Sequence, residues 1–438
     1  MRDARTRRVL EMTEPLSGPF PGSPGFDQAA DLDRDDPLSA FRERFVIDDP
    51  ETIYLDGNSL GRLPKRSIEI VERVVRAEWG RGLIGSWNET WWDLQLTLGD
   101  RLAPLLGARR GEVILSDATS VNLYKLALAA MRNRPDRSKV VTDDLNFPTD
   151  VYVLKRVTEA EGGGLAVISS DGVSGPVAEL ESEVDEKTAL LSLSHTVFKS
   201  GYTYDIAALT EVAHRAGALV LWDLSHSAGV VPVDLTGAGV DLAVGCTYKY
   251  LCGGPGSPAF LYVRSELQDQ LANPIAGWWG HAEPFAFDLD FRPVQGIRKF
   301  HTGTMPIVSL AAIEGGIEVI EEAGVDPIRA KSVSLTNYLI EQSEQHLAQL
   351  GFTLASPREP LVRGSHVALV HRDAWAITRA MVELAKVIPD FRAPDSLRLG
   401  LSPLYTSHVE VHTAVQRIRR IVESGAHDAF RNSRLTVT

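Results

Sequence analysis

Asp241-Leu-Ala-Val-Gly-Cys-Thr-Tyr-Lys-Tyr-Leu-Cys-Gly-Gly-Pro-Gly256 is an apolar run that leads into a lysine, Lys249, with a glycine loop directly after it. Residues 241–246 read as a buried strand bounded by turn signals. A lysine at the end of such a strand stands where open α/β sheets bind ligands. Upstream, Gly217-Ala-Leu-Val-Leu-Trp222 is a second apolar run, and it ends in Asp223, 26 residues before Lys249. One strand-crossover-strand unit covers that interval, so the carboxylate and the amine are expected at one sheet edge. Pyridoxal phosphate (PLP) chemistry needs that pair: a lysine for the Schiff base and an acid against the pyridinium nitrogen. Alone, Lys249 would read equally well as a surface lysine. The glycines of 253–256 let backbone approach a bound group closely, which favours a site.

Outward from this stretch, residues 139–142, 164–169 and 188–194 look like further strands, and 206–216 like an amphipathic helix stopped by Gly217. Repeated strand-helix units imply an α/β fold whose mainly parallel central sheet is flanked by helices. After Met305 the pattern changes. Helical stretches at 309–322 and 327–350 precede strand-like pieces near Phe352 and at 366–370, then helices at 374–386 and 407–423. The expected division is a loosely attached or disordered tail over 1–38 and a segment at 39–60 that joins the small domain. A large PLP-binding domain over 61–305 and a smaller C-terminal α+β domain over 306–438 complete it.

Composition narrows the partners. The chain has 438 residues and a formal net charge of −13, which repels nucleic acid and anionic membranes. No apolar stretch approaches a membrane span and no secretory apolar core opens the chain, so a cytoplasmic protein is expected. Cys246 and Cys252 are the two cysteines; they suggest neither a disulfide framework nor a metal site.

Several segments carry polar groups suited to a cofactor, each with a plainer reading beside it. Asp223 could cap a following helix, and His226 could be structural. Ser116-Asp-Ala-Thr-Ser-Val-Asn122 opens a helical pattern, where hydroxyls and amides make an anion site or an ordinary cap. Phe147 could stack on a flat ring and Asp150 accept from it, or both could serve a turn. Two tryptophans sit between glycines in Gly277-Trp-Trp-Gly-His281, as ligand or subunit contacts or as a satellite core. Arg398, flanked by Leu397 and Leu399, would pair with a substrate carboxylate or with an acid of the chain itself.

Taken in order, these segments resemble the kynureninase family of the aminotransferase class V superfamily, and its bacterial members in particular. The matching residues are Tyr54-Leu-Asp-Gly-Asn-Ser-Leu-Gly61, Thr119-Ser-Val-Asn-Leu123, Phe147-Pro-Thr-Asp150, Trp222-Asp-Leu-Ser-His226, Thr247-Tyr-Lys-Tyr-Leu251, Gly277-Trp-Trp-Gly-His281 and Phe391 through Tyr405. The lysine segment marks the superfamily; the Asn58 and Trp278 segments mark the family. The resemblance implies PLP-dependent hydrolysis of L-kynurenine, or its 3-hydroxy derivative, to an anthranilate and L-alanine in tryptophan catabolism. It makes Lys249 the Schiff-base lysine and proton carrier, Asp223 the partner of the pyridinium nitrogen, Phe147 the stacking ring and Tyr248 a candidate acid. Thr119, Ser120 and Tyr248 would surround the phosphate, joined across a homodimer interface by Trp278 and Thr304. Ser194, Asp150 and His226 would complete the cofactor shell, and Arg398, with Asn58 and Ser59, would hold the substrate.

Two positions depart from the family pattern. Cys252 stands where Asn is expected, and Thr304 where the animal enzymes carry Asn, which leans towards kynurenine over its 3-hydroxy form. Three rivals remain in view. An aminotransferase would need the same lysine and acid, and a desulfurase a mobile nucleophilic cysteine. A non-catalytic protein that binds an aromatic amino acid would need neither.

Overall fold

The structure, a computed structural model, describes residues 20–431. Two compact units emerge. The larger comprises Leu60–Phe198 and Tyr202–Val325; the smaller comprises the described residues up to Ser59, Lys199–Gly201, and those from Asp326 onward.

The larger unit is built on a seven-stranded sheet. Its spatial order is Val113–Leu115, Phe260–Val263, Leu242–Gly245, Leu219–Asp223, Thr188–Ser194, Lys139–Asp143, Gly164–Ile168. Phe260–Val263 runs antiparallel to both of its neighbours, and the other pairings are parallel. The central strands are buried along their whole length, as a sheet covered on both faces requires. Helices Thr119–Arg132 and Pro148–Ala160 contribute Leu123, Leu126, Leu154 and Val157 to the core beside Leu190, Leu221 and Val244. Helix Ile206–Arg215 begins where the apolar spacing indicates, with Asp205 accepting from the amides of Ala207 and Ala208.

Helix Ile307–Ala323 belongs to this unit, whereas the expected boundary at 305/306 gave it to the smaller one. Close approach explains the difference. A Cβ on Gly315 would come within 2.4 Å of Ser67 Oγ, and one on Gly316 within 1.9 Å of the Leu251 carbonyl. The two glycines let the helix lie against Lys65–Arg73 and the lysine loop, a contact that helical periodicity alone does not reveal.

The smaller unit holds a four-stranded antiparallel sheet in the order Asp390–Arg392, Ser396–Gly400, His366–Val370, Thr353–Leu354. A parallel pair, Ile53–Tyr54 with Val387–Ile388, joins the early segment to it. The expectation of a loose tail as far as residue 38 fails for the part described. Phe26–Arg34 is a helix with Ala29 fully buried, and Asp33 accepts from the amides of His408 and Val409 at 2.7 and 2.9 Å. An acid in a short charged stretch thus serves the start of helix His408–Glu423, which carries its own Ser407/Glu410 capping box. Residues 1–19 of that expected tail lie outside the described residues.

Among the described residues, no helix is long and apolar enough to cross a membrane, and no cluster of three His, Cys, Asp or Glu could hold a metal ion.

Candidate active site

Strand ends at one edge of the large sheet bring the chemistry together. Ser194 and Asp223 close neighbouring parallel strands and stand in register with each other. The strand that leads towards Lys249 stops at Gly245, so the lysine sits four residues further on, in the turn. There Lys249 Nζ lies 2.8 Å from His226 Nε2. Asp223 caps no helix. Its Oδ1 accepts from the amide and hydroxyl of Ser225 at 2.9 and 2.6 Å, and that hydroxyl accepts in turn from the amide of Cys246 at 3.1 Å.

Asp150 enters from the first turn of helix Pro148–Ala160 and hydrogen-bonds Asp223. Burial and then the charge of Asp223 push the Asp150 carboxyl well above the ordinary carboxylate range, against a smaller opposing pull from Lys249. Two carboxyls this close and this deeply buried disfavour a second negative charge beside the first. Phe147 precedes the same helix with an exposed ring, edge-on to Phe198 at 5.3 Å. The Tyr248 phenol is raised by neighbouring Cys246 and by burial, so it stays a proton donor.

A cavity of about 350 Å³ opens beside this turn. Its walls include Thr119, Ser120, Tyr248, Ser257, Thr302 and Thr304. Thr119 and Ser120 begin helix Thr119–Arg132, whose N-cap, Ala118, offers no side-chain cap. Amides and hydroxyls at such a helix start suit a phosphate. Thr304 lines this cavity within its own chain, but Trp278 does not. Trp278 instead joins Trp87, Trp92, Trp279 and Phe285 in an aromatic groove of about 730 Å³. Trp87 opens a π-helical turn, Trp87–Trp91, and Trp92 follows it directly, an arrangement that 3.6-residue periodicity does not signal.

In the smaller unit, Arg398 is almost fully buried on strand Ser396–Gly400. It pairs with Asp390 and donates to Ser59 Oγ at 2.9 Å. With its amide turned to suit its neighbours, Asn58 accepts from Arg398 Nε at 2.9 Å and Nη2 at 3.3 Å. Arg398, Asn58 and Ser59 are thus brought together, and both readings of Arg398 survive, since an acid of the chain already holds it. Asp56 joins them unannounced by the sequence pattern. Burial and the charge of Asp390 push its carboxyl up to about 6, against the pull of Ser59, Arg398 and Arg392.

These residues fit PLP: an amine for the aldehyde, a buried acid pair for a protonated ring nitrogen, and an uncapped helix start with hydroxyls for the phosphate. Comparison with known proteins agrees. A kynureninase from Pseudomonas fluorescens is 44% identical over 400 residues, spanning 90% of this chain and 94% of the relative. The chain belongs to the kynureninase family. A kynureninase from Burkholderia pseudomallei (strain 1106a) is 43% identical over 91% of this chain and 96% of its own length. The family model for the kynureninase C-terminal domain matches residues 328–418. Among solved structures, the apo cysteine desulfurase of Thermococcus onnurineus NA1 superposes with a TM-score of 0.72 at 20% identity, covering 90% of this chain and 98% of that one. A C-DES mutant with glycine linked to its PLP cofactor gives 0.73 at 16%, covering 84% and 97%. The chain shares the fold of these two proteins, and its membership of the kynureninase family together with that fold supports PLP as the cofactor.

Proposed function

We propose that the protein hydrolyses the Cβ–Cγ bond of L-kynurenine to give anthranilate and L-alanine, with 3-hydroxykynurenine as a second substrate, as a step of tryptophan catabolism. The full-length match to kynureninases carries this reading, with the Lys249, Asp223 and Asp150 constellation inside the matched length. Bound at Lys249, PLP supplies an electron sink for the carbon bearing the substrate amine, which labilises the neighbouring bond.

The chain's own residues have distinct tasks in this reading. Lys249 takes and returns the proton at the substrate α-carbon, with His226 at 2.8 Å to relay it. Asp223 pairs with the ring nitrogen, and Asp150, whose carboxyl is pushed up by burial and by Asp223, hydrogen-bonds that acid. Ser194 completes the shell from the neighbouring strand, and Phe147 stacks on the ring. Thr119, Ser120 and Tyr248 hold the phosphate, and Tyr248 is the candidate acid beside it. Arg398 holds the substrate carboxylate with Asn58 and Ser59 at its flanks.

The protein is further proposed to act in the cytoplasm as a homodimer, with Trp278 reaching the partner's site, whereas Thr304 serves the cavity of its own chain. Exposed Ile84, Phe285, Phe287 and Leu289 support an interface, since monomers rarely leave so much apolar surface in water. Sedimentation at a single monomer mass would remove the dimer.

The desulfurase rival loses support. Cys246 and Cys252 are both buried, and burial raises both thiols, Cys252 to about 12, away from nucleophilic thiolate. An aminotransferase would release no anthranilate. The deciding assay follows anthranilate fluorescence from kynurenine at saturating PLP, with alanine forming in the absence of any keto acid. No anthranilate or 3-hydroxyanthranilate from either substrate refutes the proposal. Borohydride reduction and peptide mapping test the binding-protein rival, by showing whether Lys249 carries a pyridoxyl group.

A further inference from the structure

A second lysine of the larger unit lies deeper than the first. Lys125, on helix Thr119–Arg132, has no solvent exposure. Its ammonium donates to Asp117 Oδ2 at 2.8 Å, to the Phe300 carbonyl at 2.7 Å and to Ser116 Oγ at 3.3 Å. An ammonium has three protons to donate, and all three find acceptors. Asp117 also accepts from Thr302 Oγ1, at 3.1 Å through Oδ1, and from Ser116 Oγ at 2.9 Å. It does so in the left-handed backbone region, with φ of +46°, which few L residues hold unaided. Burial opposes ionisation of Asp117, but the charge and hydrogen bond of Lys125 keep its carboxyl below the usual range.

This knot ties two loops distant in sequence. Two residues beyond Asp117 stands Thr119, and two beyond Thr302 stands Thr304; both line the 350 Å³ cavity with Tyr248. The ion pair is internally neutral, so its effect on an anion in that cavity comes through position rather than net charge. Buried His301 lies near enough to feel the charges of Lys125 and Asp117, and it packs beside Trp279. The two rings lie 5.9 Å apart, and His301 is kept neutral, its pKa lowered to about 3 chiefly by burial.

We infer that Lys125, acting through Asp117 and Thr302, is a positioning residue that sets the phosphate-binding cavity before the cofactor arrives. The inference rests on the PLP reading of that cavity. It deepens that reading by assigning the shape of the phosphate site to a residue that touches neither cofactor nor substrate.

The test compares two ligands that differ only in the phosphate. Full-length protein freed of cofactor is titrated with PLP and with pyridoxal, and inorganic phosphate is used to compete with PLP. Thr302→Val removes one hydrogen bond without burying a charge, and Lys125→Met/Asp117→Asn removes the ion pair as a unit. Loss of positioned hydrogen bonds should raise the Kd for PLP about threefold to tenfold in Thr302→Val and at least about tenfold in the double variant. Competition by phosphate should weaken in parallel, while the Kd for pyridoxal stays within about twofold of the original protein. If PLP affinity is unchanged in Thr302→Val, or if PLP and pyridoxal weaken by the same factor, the positioning role is overturned. Thr302→Val decides the matter if the double variant does not fold. A starting protein that binds no PLP would overturn the cofactor reading itself, which is a different result from tight PLP binding that the variants leave untouched.

Discussion

Lys125 and Lys249 belong to the same unit and differ in what surrounds their amines. Lys125 is sealed among three acceptors of its own chain. Lys249 is half-buried, and the one hydrogen-bond partner of its amine among the described residues is the imidazole of His226. A fully satisfied ammonium holds structure in place. An amine beside an imidazole and two buried acids is free to change its bonds. Burial alone would rank these lysines the wrong way round as candidates for chemistry.

The largest expected effect breaks the pair apart on activity. Lys249→Ala should lower kcat by at least about a thousandfold while changing unfolding free energy by less than about 1 kcal/mol. Steady-state rates and urea unfolding on one preparation measure both, and retention of a tenth of the rate would end the catalytic assignment. Lys125→Met should invert the pattern, because it leaves the partly buried Asp117 without its partner. A loss of about 3–5 kcal/mol in urea unfolding is expected, with kcat at saturating PLP within about fivefold. A stable Lys125→Met protein would mean that the knot carries no strain-bearing ion pair.

Arg398 is a third buried cation, and it extends the comparison to the smaller unit. It has partners like Lys125, yet its acids outnumber it, and one of them, Asp56, holds its proton up to about pH 6. In the unfolded chain Asp56 ionises near 3.8, so the folded state binds the proton more tightly. Stability from this group is highest at low pH and falls as pH rises from about 4 to about 6. Asp56→Asn should remove that slope, its advantage over the original protein growing to at most about 3 kcal/mol near pH 7. Parallel melting curves from pH 4 to 7 check this; a difference that does not vary with pH would contradict the raised carboxyl. Arg398→Ala should raise KM for kynurenine about tenfold to a hundredfold with a smaller change in kcat. An unchanged KM would assign Arg398 to structure, with Lys125.

Much of this arrangement was legible beforehand because its signals are local. Strand ends marked by Asp223 and Ser194, the glycines after Lys249, and the hydroxyls that open helix Thr119–Arg132 all sit beside the elements they serve. Lys125 was not legible. A lysine between Tyr124 and Leu126 on an apolar face is a visible anomaly, but its acceptors at Asp117 and Phe300 are distant in sequence or in the preceding loop. Asp56 is similar, since only folding places it beside Asp390. Helix Ile307–Ala323 went to the wrong unit because periodicity reports that a helix is amphipathic, not which surface receives it. Pairings across long loops are chosen by tertiary packing.

The smallest expected effect concerns the backbone that carries Lys249. Cys252 stands where the resemblance leads one to expect Asn, and its φ of +53° lies in the left-handed region, which suits Asn. That conformation costs an ordinary L residue about 1–2 kcal/mol, and Asn tolerates it through local hydrogen bonds of its short amide. A carbonyl acceptor is at hand, because Cys252 Sγ already lies 3.5 Å from the Tyr250 oxygen. The turn itself is held by backbone, with the amide of Cys252 donating to the Lys249 carbonyl at 2.9 Å and that of Gly61 to the Tyr248 carbonyl at 2.8 Å. Space is tight on the side of Gly61, where a Cβ would meet Cys252 Sγ at 2.6 Å, so that position needs its glycine. Cys252→Asn should therefore stabilise the protein by about 0.5–1 kcal/mol and leave kcat within about twofold, since the bonds that aim Lys249 are untouched. A destabilisation above about 1 kcal/mol would show that the buried amide finds no partner there, and that the thiol is matched to its surroundings better than the backbone suggests.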